Sequence, residues 1–482
     1  MKIYSSILFC IAFIFATSVT AQQWLDKTYD FEVFPDSVYG YATNFYGGTD
    51  TLKMDIYSPI CDDSSHVSRR PLLVWIHGGA FLVGDKSDNS IVNLCEEFAK
   101  RGYVTASIDY RLGFVSDEDS HECNFPNYEC QFAADSAEWA RAYYRSVQDA
   151  KGAIRYLINR NSGFRIDTNN VFIAGESAGA FVALGAALMD DDGERPIQTF
   201  ATSDVPIPGN YALNCAYNQD VEFLGETIAR PDLGFIEGTI EPSTVQYTIK
   251  GVGNMFGGMF GNLLAIDNAA VKPAIYSFHQ RCDLVVLIDS GFVFQGASWC
   301  LTNGYNCFAF ANNNVMLYGS RAIRNWNETN NYGYTLESDF TSVEFPYNFW
   351  FGEGSCIDQG LNVGCHGYAN KALRENNLAE FFTPLITTFP ICDPAIVSLV
   401  EPVQQIDFAI FPNPVNVMLS VKSEYSGLLQ IRVLNPMGRI VIIDEFNYTG
   451  FAQIDLSRLP SGIYFMEMKT YFGVQVFKIV KE

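Results

Sequence analysis

The sequence runs to 482 residues, long enough for a large core and for more than one domain. Aliphatic and aromatic residues make up 48% of it and charged residues 18%, the balance of a globular and not a disordered chain. A formal net charge of -23 argues against nucleic acid as a partner, because phosphate backbones are held by clustered Lys and Arg.

The chain opens with Lys2, an apolar run over residues 7–15 and the small residues Val19, Thr20 and Ala21, the pattern of a signal peptide over residues 1–21. That run is short for a membrane span, and no later stretch of about 18 apolar residues follows, so no transmembrane segment is expected. Export changes how the cysteines read. Cys10 leaves with the signal, and the eleven others of the twelve are expected to be partly paired with at least one left over. Cys123 with Cys130, and Cys300 with Cys307, are spaced to close short local loops. Neither a C-x-x-C pair nor a histidine cluster marks a metal, and no cofactor is expected.

In chain order, residues 38–59 predict two strands about a turn at Gly47 to Asp50. "PLLVWIHGGA" (71–80) is a continuous apolar run ending in glycines, as a buried parallel strand would be. Residues 91–102 predict a helix, 103–113 a strand and 137–161 a long helix, followed by the strand that holds Val171 to Ala174. Two more strands are predicted at 245–253 and 272–280. This alternation implies a mostly parallel sheet covered by helices on both faces, an α/β fold. From about residue 395 the pattern changes to short alternating runs between Pro and Gly turns. The expected organisation is a larger domain over 22–395, a linker over 396–406 and a small all-β domain over 407–482.

Gly175-Glu176-Ser177-Ala178-Gly179 follows an apolar strand and precedes a helix-forming run, the setting of a nucleophile elbow. A serine hydroxyl needs a base to take its proton and donors to hold the oxyanion that follows. The glycine-rich "HGGAF" (77–81) can aim backbone N–H groups at that oxyanion, beside the N–H of Ala178. His77 precedes the nucleophile and is expected to hold its own loop. Of the five histidines, at 66, 77, 121, 279 and 366, the Gly-flanked His366 fits the base. Asp283, four residues beyond the strand-ending His279, fits the acid, with Asp204, Asp267, Asp289 and Asp358 as rivals. Glu176 reads as a buried supporting carboxylate. Cys282 precedes Asp283 and Cys365 precedes His366, so contact between acid and base would bring the two thiols within bridging range.

"WIHGGAF", "DYRLGF", "GESAG" and "FHQRCDLVV" together resemble the α/β-hydrolase superfamily over residues 35–390, and "GESAG" with "HGGAF" is most similar to its type-B carboxylesterase and lipase branch. The resemblance implies Ser177, Asp283 and His366 as a triad, Gly79, Ala80 and Ala178 as oxyanion donors, and an acyl-enzyme. Ala80 stands where the family often has a third glycine, and Asp283 where the type-B branch commonly uses glutamate. "FPNPVNVMLSV", "VLNPMGRIV", "IDLSRLPSGIYFMEM" and "FKIVKE" resemble the C-terminal sorting domain of type IX secretion cargo. This implies that machinery as a partner, passage through the periplasm, and release or surface attachment.

The function expected is therefore a secreted serine carboxylic-ester hydrolase acting on small-molecule or polymer-linked esters. A non-catalytic adhesion protein on the same fold and a serine peptidase with the same triad are the other classes. Segments 114–136, 205–244 and 292–355 are rich in Phe, Tyr, Trp and Asn and read as insertions over the active end of the sheet, either lining a pocket or packing locally.

Overall fold

Apolar residues at every position of a strand are tolerated only where both faces are covered. In β3 (Arg70–Ile76) and β5 (Ile166–Glu176) alternate residues serve two cores. Leu72, Val74, Ile76, Val171 and Ile173 pack on one face, while Leu73, Trp75, Phe172 and Ala174 pack on the other. These strands lie side by side at the centre of an eight-stranded sheet.

The computed structural model describes residues 24–60, 69–114, 135–206, 211–214, 219–222, 227–283, 285–293, 315–341, 365–387, 408–436, 440–470 and 473–482. The expected signal peptide, the pairs Cys123/Cys130 and Cys300/Cys307, Asp358, the linker at 396–406 and most of the aromatic segments 114–136 and 292–355 lie outside the described residues.

The sheet begins with β1 (Phe31–Thr43) and β2 (Thr49–Pro59), an antiparallel pair. Then come β3, α1 (Asn89–Lys100), β4 (Val104–Ile108), α2 (Ser136–Asn159), the single turn α3 (Asn161–Phe164), β5 and α4 (Ala178–Leu188). Two hairpin-like pairs follow, β6 (Thr202–Pro206) with β9 (Thr227–Arg230) and β7 (Tyr211–Asn214) with β8 (Gln219–Glu222). The sheet resumes with β10 (Ile249–Met255), β12 (Ala274–His279) and β15 (Leu336–Phe340), giving the order β1-β2-β4-β3-β5-β10-β12-β15. All pairs from β4 to β15 are parallel. Between them lie β11 (Gly258–Met259), α5 (Leu263–Ile266), β13 (Ser290–Phe292), β14 (Met316–Gly319) and α6 (Ser320–Asn330), with β11, β14 and β13 in a small sheet of their own. Helices α2 and α4 cover one face; α1 and α7 (Lys371–Phe382) cover the other.

The strand expected over 103–113 stops at Ile108 because side chains take over the backbone there. The Arg111 N–H donates to the buried Asp149 carboxylate at 2.8 Å, and the Arg111 guanidinium pairs with the same carboxylate. The strand expected over 245–253 lies over 249–255.

By its internal packing the chain divides into two units, Met1–Asp62 with Val67–Cys392, and Asp63–His66 with Asp393–Glu482. In the second, β16 (Ala409–Phe411), β17 (Met418–Leu434), β18 (Ile440–Asp455), β19 (Gly462–Thr470) and β20 (Gly473–Lys481) form an antiparallel sheet over a core that includes Leu419, Val421, Ile431, Val433 and Met466. Its strands are longer than the short runs expected, because β17 continues through a register shift between Lys422 and Ser426 that breaks the apolar alternation without ending the pairing.

Candidate active site

β5 delivers Ser177 at the carboxyl end of the sheet, where open parallel sheets bind ligands. Ser177 has φ 53° and ψ -124°, a conformation an L-residue holds only under constraint. The turn demands its glycines. A Cβ on Gly175 would stand 2.3 Å from the Gly179 carbonyl, and one on Gly179 would stand 2.2 Å from the Ile76 carbonyl oxygen. The Ser177 N–H is anchored on the Met255 carbonyl at 3.0 Å. Ser177 occupies the N-cap position of α4 without capping it, so the hydroxyl is left for another partner while the α4 dipole favours negative charge close by.

The loop after β3 runs against this elbow, since a Cβ on Gly78 would lie 3.1 Å from Ser177 Cβ. Leu82 and Val83 donate their N–H groups to the Gly79 carbonyl and wind residues 79–83 into a tight turn. Gly79 has φ 107°, with no room for a Cβ beside the Val83 carbonyl, and Ala80 and Phe81 follow at φ 56° and 63°. Three successive left-handed residues turn the peptide N–H groups away from ordinary helix or strand pairing. His77 sits beneath, buried, stacked on Tyr110 at 4.4 Å, with Nδ1 2.7 Å from the Gly78 carbonyl. Burial pushes its pKa down to about 4, the Gly78 bond opposing only in part, so the ring is neutral and serves the loop.

His366 precedes α7, and its Nε2 lies 2.9 Å from Ser177 Oγ. On the other side of the ring, Nδ1 lies 2.8 Å from Asp283 Oδ2. Asp283 follows β12 and is fully held: Oδ1 accepts the N–H groups of Val285 and Val286 at 2.9 and 3.0 Å, and Oδ2 lies 3.2 Å from His279 Nε2 as well. Burial alone would raise this carboxyl, but the His366 charge and the two imidazole bonds hold it below the ordinary carboxylate range. The Phe256 ring meets the His366 imidazole edge-on at 5.0 Å.

The acid and base loops are also joined directly. Cys282 and Cys365 form a disulfide with their Cα atoms 5.6 Å apart. Beside it, the Gln280 side-chain amide donates to the carbonyls of Cys365 at 2.7 Å and Gly367 at 2.9 Å. Among the described residues, Cys95 is the free cysteine, and it is buried.

With that geometry in view, residues 54–121 and 136–212 match the family described as BD-FAE. The larger unit is an α/β-hydrolase domain. Residues 409–482 match the secretion system C-terminal sorting domain. The chain is 26% identical over 173 residues to isoprenylcysteine alpha-carbonyl methylesterase from Arabidopsis thaliana, covering 36% of this chain and 33% of that protein. It is 31% identical over 141 residues to bile salt-activated lipase from Homo sapiens, covering 28% of this chain and 16% of the relative. The chain thus spans at most about a third of the curated relatives' length. Among solved structures, Thermogutta terrifontis esterase 2 aligns with 74% of this chain and 94% of its own at 17% identity and a TM-score of 0.38.

Elsewhere in the α/β-hydrolase domain the described rival acids are exposed or engaged with other partners. Asp204 is exposed, Asp289 pairs with Arg321, and Asp267 takes the Tyr334 hydroxyl. Glu176, half-buried at the elbow, accepts the Ser90 hydroxyl at 2.9 Å; desolvation raises its pKa and that bond lowers it less. One ligand oxygen from each of Asp190, Glu194 and Asp267 lies within 4.8 Å of the others, a group of the kind that holds hard cations. Its oxygens already accept N–H groups of Asp190, Asp191 and Ala269. Reading the sequence assigned no role to Gln280 and noted His279 only as a strand end. The offsets of one and four residues from β12's end to Gln280 and Asp283 were the available signal.

Proposed function

We propose that the chain is a serine carboxylic-ester hydrolase that works through Ser177, His366 and Asp283 and is exported by type IX secretion. The observation that supports it is the unbroken line from Asp283 Oδ2 through the His366 ring to Ser177 Oγ, with separations of 2.8 and 2.9 Å. The names of the similar proteins, esterases and a lipase, point the same way.

In this reading His366 Nε2 takes the Ser177 proton as Oγ attacks the ester carbonyl carbon. The carbonyl electron pair moves onto oxygen, where the N–H groups of Gly79, Ala80 and Ala178 receive it at the start of α4. The C–O bond to the alcohol then breaks, and the alcohol leaves with the proton that His366 held. Water repeats the sequence on the acyl-enzyme, giving its proton to His366 and releasing the acid with Ser177 restored. Asp283 stays ionised throughout, holding Nδ1–H and the charge of the imidazolium.

The test is hydrolysis of a short p-nitrophenyl ester by the mature protein and by Ser177→Ala, with fluorophosphonate labelling of both. Loss of turnover and of label in a variant that melts like the parent is expected; undiminished turnover refutes the assignment. A panel running from short acyl to feruloyl esters then sorts substrates, since the residues beyond the sheet and not the fold decide them.

A further inference from the structure

Gln280 bonds to both the acid loop and the base loop. It is the first residue after β12. Its main-chain carbonyl accepts the Asp283 N–H at 3.1 Å, which closes the turn that presents the acid. Its side chain reaches the other way, to the carbonyls of Cys365 and Gly367. Two carbonyl acceptors are satisfied only by the NH2 end of an amide, so the chemistry of the site fixes which way the amide points.

Those two carbonyls lie one on each side of His366. Cys365 has φ 61° and Gly367 φ 156°, so the base sits between two residues whose backbone lies outside the ordinary right-handed helix and strand regions. A single nitrogen bonded to both carbonyls pins the peptide plane that enters His366 and the plane one residue beyond it, so the short stretch that carries the imidazole is held at both ends. The Cys282–Cys365 disulfide fixes the distance between the same loops without holding both ends of that stretch.

We propose that Gln280 is a positioning residue for His366, aiming the imidazole along the line from Asp283 to Ser177, and that it and the disulfide are overlapping tethers of one base loop. This rests on the esterase reading above. With the disulfide intact, loss of the amide lets the ring tilt within a short range. With the disulfide absent, the same loss frees the loop altogether. A misplacement of about 1 Å costs roughly 100-fold in rate, so the two losses compound instead of adding.

The experiment is a double-mutant cycle on the mature full-length protein. Gln280→Met, of similar length with no donors, is measured alone and on the Cys282→Ser/Cys365→Ser background, with Gln280→Glu as a second form that replaces the donors by acceptors. On a p-nitrophenyl ester, Gln280→Met is expected to lower kcat about 10-fold with KM within about twofold. On the bridge-less background its effect is expected to grow to about 100-fold, the mark of interacting groups. Circular dichroism identifies which substitutions fold, and either substitution suffices. If a folded Gln280 variant keeps kcat within about twofold of its parent on both backgrounds, the proposal is overturned while labelling of Ser177 leaves the esterase reading intact. If the parent protein takes no label, it is the esterase reading that fails.

Discussion

His279 Nε2 stands 3.2 Å from Asp283 Oδ2, so the carboxylate that faces His366 is shared between two imidazoles. His279 is fully buried, with Nε2 also 2.9 Å from the Val286 carbonyl and Nδ1 2.8 Å from Ser320 Oγ. Nε2 thus faces both the Val286 carbonyl and the Asp283 carboxylate, while Nδ1 faces the Ser320 hydroxyl. Ser320 Oγ in turn accepts from Asn254 at 3.1 Å. His279→Gln is expected to lower kcat about tenfold with little change in KM, the scale of one hydrogen bond to a charged group. Steady-state kinetics on a short ester checks this. An unchanged kcat in a folded variant would show that the backbone N–H groups alone hold the acid.

The disulfide joins residues 83 apart in sequence. Closing a loop of that length restricts the unfolded chain by up to about 4.5 kcal/mol on the loop-entropy account. Cys282→Ser/Cys365→Ser should therefore unfold at a lower denaturant midpoint than the parent. Alkylation of the native oxidised protein should label neither Cys282 nor Cys365, nor Cys95, which is buried with its thiol pKa pushed well up by burial. Mass spectrometry of the alkylated peptides distinguishes the cases, and a native label on Cys282 would remove the bridge from the account.

Buried His77 and half-buried Glu176 give opposite dependences of stability on pH. The His77 pKa falls from an ordinary value near 6.5 to about 4, so between those values the unfolded chain binds the extra proton and stability declines as pH falls, by about 3 kcal/mol in all. The Glu176 pKa is raised, so there the folded chain binds the extra proton and stability declines as pH rises above the ordinary carboxyl value. Denaturant midpoints at a series of pH values, compared between parent and His77→Gln, should show a shallower acid decline in the variant. Glu176→Gln should gain on the parent as pH rises. Parallel curves would place both groups outside the linkage.

The sorting tail coincides with the second unit and with residues 409–482 of the family match. A chain ended within 396–406 is expected to keep the kcat/KM of the full chain while accumulating inside the producing cell. Activity assays of cell and medium fractions read both outcomes. Lost activity in a folded truncated protein would mean that the tail is needed for catalysis.

The features legible in the sequence are those whose physical reason is local. β3 from Leu72 to Ile76 and β5 from Val171 to Ala174 are buried on both faces and so are apolar runs, and the elbow glycines stand where a Cβ would overlap nearby backbone. A short supply of histidines did the rest for His366. What escaped depends on contacts between distant segments. β15 reads Leu-Glu-Ser-Asp-Phe, with no apolar run to mark it, because an outer parallel strand is covered on fewer sides. Gln280 acquires its meaning only when the loop at 365–367, more than eighty residues on, comes down on it. The long β17 escaped because its bend interrupts the alternation that marks a strand.

The bond between Cys282 and Cys365 also decides what a protease can do to this molecule outside the cell. The disulfide closes the chain between the two cysteines into a ring. Cutting any one peptide bond in that ring still leaves Asp283 and His366 in one covalent piece. However many cuts fall between Asp283 and Cys365, each catalytic residue stays joined to its own bridged cysteine, so such a nicked enzyme is expected to go on turning over where an unbridged one would come apart.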